Sequence, residues 1–238
     1  MLTAPQFSPD ALNSVLERIA DATSIARREA SAVRLLAVSK LQPTALIRGA
    51  AAAGQREFGE NYAQEGVAKI HELAGLGLTW HFIGQLQSNK TRDVAEHFDW
   101  VHTVDRARIA ERLNAQRPAH AAPLQVLLQV RLEDEPGKGG VEPGNLTALA
   151  ALVTRLPRLQ LRGLMCMPPP AARPETQQKP FRRLRELRDA LNAAGHVLDT
   201  LSMGMSDDLE AAVLEGATIV RIGTALFGPR PPQGHTTT

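Results

Sequence analysis

The sequence is poor in the residues on which several classes of protein depend. Its 238 residues include one cysteine, Cys166, which excludes an intrachain disulfide and favours a reducing compartment, the cytoplasm. Aromatic residues make up 4% of the chain, and 27 basic residues nearly balance 25 acidic ones. A protein that binds nucleic acid needs clustered cations and often stacking aromatics, so nucleic acid is not expected as a partner.

Membrane and metal signals are also missing. No apolar run approaches the roughly 20 residues that a transmembrane helix needs, and residues 1–10 lack the basic and apolar segments of a signal peptide. The seven histidines form no HExxH motif, and one cysteine cannot form CxxC. We therefore expect a cytoplasmic protein that binds neither a membrane nor a structural metal.

Lysine is scarce compared with arginine. Of the 27 basic residues only five are lysines, at positions 40, 69, 90, 138 and 179. Arginine serves for most ion pairs but cannot form an imine, so the lysines that remain are candidates for positions that need an amine.

Short apolar runs alternate with longer amphipathic stretches after a first helix predicted over residues 9–30. The predicted strands are 34–39, 56–61, 79–83, 100–104, 125–131, 160–166, 198–203 and 218–222. Eight strand and helix repeats predict a single α/β domain, a (β/α)8 TIM-type barrel with an extra N-terminal helix. We expect this domain to span residues 8–230, with a disordered tail at 231–238.

An open, doubly wound sheet is the alternative fold. Such sheets usually carry a glycine-rich phosphate loop after the first strand, whereas the first strand here ends in SKLQP at 39–43. Ser88, Asp105 and Ser206 are predicted N-caps, and Gly195 and Gly216 are predicted to end helices.

The C-terminal ends of barrel strands are where this fold places its functional groups. Lys40 closes the first strand, on the same face as Leu36 and Val38. A lysine there either extends to solvent or is an imine-forming amine whose pKa is lowered by burial, and its position leaves both readings open.

The ends of the last two strands carry glycine and hydroxyl residues, the usual phosphate-binding arrangement of this fold. Ser206 follows the seventh strand, and Gly223 and Thr224 follow the eighth. Ser206 as a helix cap and Gly223 as a turn are the structural alternatives. Asp207 and Asp208 would repel a phosphate, so a phosphate site requires both to point away.

Arg221 interrupts an otherwise apolar last strand, and a buried arginine needs a partner. It either pairs with a carboxylate such as Glu60 or donates to a ligand. An amine at Lys40, the two loops and a cation at Arg221 together outline a site for a phosphorylated aldehyde.

Seven motifs in order over about residues 30–230 resemble the pyridoxal phosphate homeostasis proteins. They are AVSK at 37–40 with Pro43, FGENY at 58–62, HFIG at 81–84, LQSNK at 86–90, RGLM at 162–165, LSMGMSDD at 201–208 and VRIGTALFG at 220–228. The resemblance implies a barrel related to the N-terminal domain of alanine racemase. It also implies bound pyridoxal 5'-phosphate (PLP) and no well-established catalytic activity.

The resemblance also implies a role for each matching residue. Lys40 would form the imine with PLP, and Arg221 would face the pyridine nitrogen. Ser206, Gly223 and Thr224 would hold the phosphate. The further residues expected to line the pocket are Asn61, His81 and Met203.

Binding of PLP leaves an enzyme as the alternative to a carrier. A two-base racemase needs a second proton-transfer group, commonly a tyrosine from another domain of a partner subunit, and the one tyrosine here is Tyr62. We expect a monomeric protein that holds PLP and supplies it to apo-forms of PLP enzymes. A PLP-dependent racemase or lyase is second, and a Schiff-base aldolase or phosphate-binding isomerase is third. Lys138 is either a solvated loop residue or a transient acceptor of PLP during transfer.

Overall fold

A computed structural model describes residues 6–133, 139–169 and 174–229. The predicted tail at 231–238 and Lys138 lie outside these residues. Within them, eight parallel strands form a closed barrel in chain order, and the eighth pairs with the first. The strands are β1 (Arg34–Val38), β2 (Glu57–Glu60), β3 (Thr79–Phe82), β4 (Trp100–Val104), β5 (Leu124–Gln129), β6 (Leu159–Met165), β7 (Thr200–Ser202) and β8 (Ile219–Ile222). The barrel predicted from the sequence is confirmed.

One helix precedes the first strand, one helix follows each of the eight strands, and together they surround the barrel. They are α1 (Pro9–Ile25), α2 (Thr44–Ala52), α3 (Ala63–Glu72), α4 (Thr91–His97), α5 (Ala107–Gln116), α6 (Leu146–Thr154), α7 (Pro174–Ala193), α8 (Leu209–Leu214) and α9 (Thr224–Phe227). The extra N-terminal helix α1 packs against α8 and α9. None of the helices in the described part of the chain is long and apolar enough to cross a membrane.

The two faces of each strand meet different surroundings. On β1, Leu35 and Ala37 belong to the main apolar core that the strands share with the helices, whereas Leu36 packs with Ile83 and Ile219 in a separate cluster. Because side chains alternate along a strand, Arg34, Leu36 and Val38 share the face that points into the barrel. The interior is therefore partly apolar and partly polar.

Several predicted element ends are wrong by a few residues. Helix α1 ends at Ile25 because Arg27 has a left-handed backbone with φ of 53°. The N-cap of α5 is Arg106, one residue after the predicted Asp105. The N-cap of α8 is Asp208, two residues after the predicted Ser206.

The glycine signals are accurate. Gly195 and Gly216 follow α7 and α8 with φ of 96° and 97°, a backbone conformation that glycine adopts without strain. Gly163 has a different task, because a Cβ atom at this position of β6 would lie 1.8 Å from the backbone oxygen of Thr200 on β7. Glycine at 163 thus allows β6 and β7 to approach closely.

Candidate functional site

A cavity of about 600 Å³ opens at the C-terminal ends of the strands, beside α1, β1 and β8. Six of the eight residues predicted from the sequence line it: Lys40, Asn61, Ser206, Arg221, Gly223 and Thr224. They come from four loops or strands that are far apart in sequence, so the barrel brings together what the motifs suggested separately.

His81 and Met203 are not among the lining residues, contrary to expectation. The side chain of His81 is fully buried and lies deeper in the barrel than Ile83, which follows it on the same face and does reach the cavity. Met203 is fully buried in the main core with Leu201, because strand alternation turns Ser202 inward and both neighbours outward.

The backbone that carries Lys40 is held in an unusual conformation. Leu41, the next residue, has φ of 61°, which is uncommon for a side chain other than glycine, asparagine or aspartate. The N–H of Leu41 donates to Oε1 of Glu65 at 2.6 Å, and Ser39, on the other side of Lys40, is fully buried. The turn therefore presents Lys40, which is partly exposed, to the cavity.

A buried ion cluster lies behind this turn. The ammonium of Lys69 donates to the carbonyl of Ser39 at 2.7 Å, to Glu60 at 2.9 Å and to Glu65 at 2.6 Å. The hydroxyl of Ser39 donates to the same oxygen of Glu60 at 2.6 Å. Burial raises the pKa of Glu60, and the neighbouring Lys69 opposes this shift. Lys69 is thus a structural lysine, and the partner of Glu60 is Lys69 rather than Arg221.

Arg221 is held by neutral acceptors. Its side chain is buried, and its guanidinium donates to Oγ of Ser202 at 2.8 Å and to the carbonyl of Cys166 at 2.9 Å. Burial lowers the pKa of Arg221, but an arginine remains charged in a protein. Since Arg221 also lines the cavity, it places a positive charge at the cavity wall.

Helix α1 contributes a residue that the sequence analysis did not identify. Arg18 lines the cavity, donates to the carbonyl of Ser206 at 2.9 Å and pairs with Glu210 of α8. Its charge lies near the loop that was predicted to bind phosphate. No motif marks Arg18, because only the packing of α1 against α8 places it beside this loop.

The two aspartates after Ser206 are placed differently. Asp208 turns back into its own loop, where Oδ1 accepts the N–H of Met205 at 2.5 Å, and burial raises the pKa of its carboxyl. Asp207 is exposed and contributes to the cavity wall, so the expectation that both point away holds only for Asp208. Glu210 and, to a smaller extent, Asp207 raise the pKa of Arg18, so the charge of Arg18 attracts both carboxylates.

Sequence comparisons agree with this geometry. A family model of the alanine racemase N-terminal domain matches residues 15–231. A pyridoxal phosphate homeostasis protein of Pseudomonas aeruginosa is 59% identical over 216 residues, which cover 91% of this chain and 93% of that protein. The protein of the same name from Escherichia coli K12 is 52% identical over 222 residues and covers 92% of this chain and 95% of its own.

Solved structures show the same barrel. PipY of Synechococcus elongatus, determined with PLP bound, has a TM-score of 0.79 and 43% identity, covering 88% of this chain and 100% of its own. Alanine racemase of Corynebacterium glutamicum, at 15% identity and a TM-score of 0.67, covers 96% of this chain and 64% of its own, and shows the fold alone. The chain therefore belongs to the alanine racemase N-terminal domain family and, within it, to the pyridoxal phosphate homeostasis proteins.

Proposed function

We propose that this protein binds PLP in the cavity at the C-terminal ends of the strands and serves PLP homeostasis by holding and releasing it. The observation that carries the proposal is the meeting, around one cavity, of the lysine amine of Lys40, the hydroxyl and glycine loops at Ser206 and Gly223, and the cation of Arg221. The names of the relatives and the PLP bound to PipY support the same ligand.

The residues present fit PLP. A cavity of about 600 Å³ lies within the range of about 300 to 1,000 Å³ that small-molecule sites occupy. At Gly223 a Cβ atom would lie 3.2 Å from the carbonyl of Val38, so glycine keeps this loop close to β1 and leaves its backbone open towards the cavity. The donor set of two hydroxyls and an arginine suits a phosphate dianion and a ring nitrogen.

Each residue has a defined part in this binding. PLP supplies an aldehyde, which a neutral lysine amine captures reversibly with loss of water. We assign that amine to Lys40. Ser206, Gly223 and Thr224 bind the phosphate, Arg221 faces the ring nitrogen, and Asn61 borders the ring. Arg18 holds the Ser206 loop in place through its bond to the carbonyl of Ser206.

The carrier role is preferred to catalysis because the described residues that line the cavity include no suitable second base. Among the described residues that line it there is no histidine or tyrosine, and Tyr62 is 53% exposed and lies outside the lining. The carboxylate present, Asp207, is exposed to water. A two-base reaction at a carbon next to the amine needs a positioned acid or base on each face, so this cavity is poorly equipped for racemisation.

Transfer of PLP to an acceptor tests the carrier role. The protein loaded with PLP is mixed with the apo-form of a PLP-dependent enzyme, with and without a scavenger of free PLP. We expect the acceptor enzyme to gain activity faster than the protein releases PLP into solution. We also expect sedimentation to show that the PLP-loaded protein is a monomer. Retention of PLP together with sustained turnover of amino acids would instead establish an enzyme.

The phosphate loops give a second, graded expectation. Ser206→Ala or Thr224→Val removes one hydrogen bond to a charged group, worth about 1.5 to 3 kcal/mol, and should weaken PLP binding about 10- to 100-fold. Titration with pyridoxal, which has no phosphate, provides the control and should be nearly unaffected. Equal losses for both ligands would show that these residues support the fold rather than the phosphate.

A further inference from the structure

A line of side chains crosses the barrel interior from Arg221 towards the N-terminal ends of the strands. Arg221 donates to Oγ of Ser202 at 2.8 Å, and this oxygen lies 2.9 Å from Nδ1 of His102. Nε2 of His102 lies 2.9 Å from Nδ1 of His81. At the far end, Nε2 of His81 lies 3.5 Å from Oε2 of Glu57. Four strands other than β8 thus contribute to one continuous path.

Both histidines on this path are neutral. Each is fully buried, and desolvation lowers the pKa of each imidazole well below the ordinary value of 6.5. The positive charge of Arg34 lowers both pKa values further, and that of Arg221 adds to the shift at His102. A neutral imidazole carries one N–H and one bare nitrogen, so each ring must donate in one direction and accept in the other.

The two ends of the path favour one direction. Arg221 can only donate, so Ser202 accepts from it and has its own hydrogen available for Nδ1 of His102. His102 then carries its hydrogen on Nε2 and donates to Nδ1 of His81. His81 in turn points its Nε2–H at Glu57.

The reverse direction is unfavourable. It would set a bare nitrogen of His81 3.5 Å from the carboxylate oxygen Oε2 of Glu57, with no hydrogen between two acceptors. The distance is longer than an ordinary hydrogen bond, and neither atom has a hydrogen-bond partner among the described residues, so an Nε2–H that faces the carboxylate is the favourable arrangement. The other oxygen of that carboxylate is engaged, because Arg34 donates to Oε1 of Glu57 at 2.9 Å. Oε2 of Glu57 is therefore the carboxylate oxygen that faces His81.

We propose that His102 is a positioning residue, which through Ser202 holds the guanidinium of Arg221 against the ring nitrogen of bound PLP, with His81 and Glu57 anchoring the line. This inference rests on the proposed function. Because the hydroxyl hydrogen of Ser202 is committed to His102, Ser202 presents only lone pairs to Arg221 and keeps that side chain in one orientation. His81 belongs to this line behind the cavity rather than to the cavity wall.

The hydrogen positions can be tested on the protein without ligand. Two-bond ¹⁵N–¹H correlation spectra of protein labelled at histidine should show His81 and His102 as neutral Nε2–H tautomers at neutral pH. Their signals are assigned by comparison with the His102→Asn variant. A hydrogen on Nδ1 of either ring, or a charged imidazole at pH 7, would overturn the proposed direction.

The effect on PLP is tested with a matched pair of variants. His102→Leu fills the space but offers Ser202 no acceptor, and should raise the dissociation constant of PLP about tenfold and shift the absorption maximum of the bound chromophore. His102→Asn keeps an acceptor near the position of Nδ1 and should restore both properties. His120→Ala, at an exposed histidine, is the control.

The outcomes separate this inference from the proposed function. If the unmodified protein fails to bind PLP, the proposed function is wrong. If it binds PLP and the leucine and asparagine variants share its affinity and spectrum, the positioning role of His102 is wrong. If His102→Leu does not fold, the histidine tautomers of the unmodified protein still decide the direction of the hydrogen bonds. The absorption spectrum of PLP bound to His102→Asn must in that case match that of the unmodified protein.

Discussion

Replacing Lys40 with alanine is expected to abolish the visible absorption band that appears when the protein is incubated with PLP and that borohydride reduces. The band requires a covalent link between a lysine amine and the aldehyde, and Lys40 is the lysine among the described residues that lines the cavity. After reduction of the unmodified protein, peptide mapping should place the label on residue 40.

The matched control is Lys179→Ala, which removes an exposed amine from α7 and should leave the band unchanged. Weak binding of PLP by Lys40→Ala, without a reducible band, would agree with phosphate loops that work independently of the amine. A label found on Lys69, Lys90, Lys138 or Lys179 in the unmodified protein would show that the assignment is wrong.

Acidification from pH 7 to pH 5 is expected to lower the free energy of unfolding, and the buried histidines should contribute up to about 4 kcal/mol to the loss. Their pKa values are lowered in the folded protein, so on acidification the unfolded chain takes up protons that the folded chain refuses. Their stabilisation is present above pH 6.5 and is lost as the pH falls below it. Urea unfolding at a series of pH values measures this dependence.

Acidic residues oppose this trend. The raised pKa values of Glu60, Asp99 and Asp208 act in the opposite sense, because the folded chain takes up these protons at a higher pH than the unfolded chain. Comparison of variants isolates the histidines. His102→Asn should reduce their pH-dependent contribution by about half, and His120→Ala should leave it intact. An unchanged pH profile for His102→Asn would show that His102 is charged or exposed in the folded protein.

The fold could be predicted from the sequence because its signals are local. Eight apolar runs each long enough for one strand, with amphipathic helices between them, leave few alternatives to a closed barrel. The ends of elements were less predictable, since a cap depends on backbone geometry. Ser206 and Asp105 have side chains suited to capping, and as N-caps they would start α8 at residue 207 and α5 at residue 106. The helices begin at Leu209 and Ala107 instead, two residues and one residue later.

The site residues that lie at strand ends could be predicted from the sequence. Those whose position depends on packing between helices and strands could not. Lys40 and Arg221 stand at or near strand ends, where the fold itself directs them to the cavity. His81 has the right strand and face but the wrong depth, which depends on how the strands are staggered. Arg18 is placed by the packing of α1 on α8, and His102 by its contacts across the barrel. No local sequence pattern indicates the position of either residue.

The ion cluster around Lys69 has a consequence for chemical selectivity between amines. An aldehyde reacts with the lone pair of an amine, and an ammonium has none to offer. Lys69 is close in space to Lys40, because it bonds the carbonyl of the residue before it. Its three N–H groups are matched by three acceptors, two of them carboxylates, which pair with it as an ammonium and hold it behind the turn. Of these two neighbouring lysines we therefore expect only Lys40, which lines the cavity, to react with an aldehyde bound there.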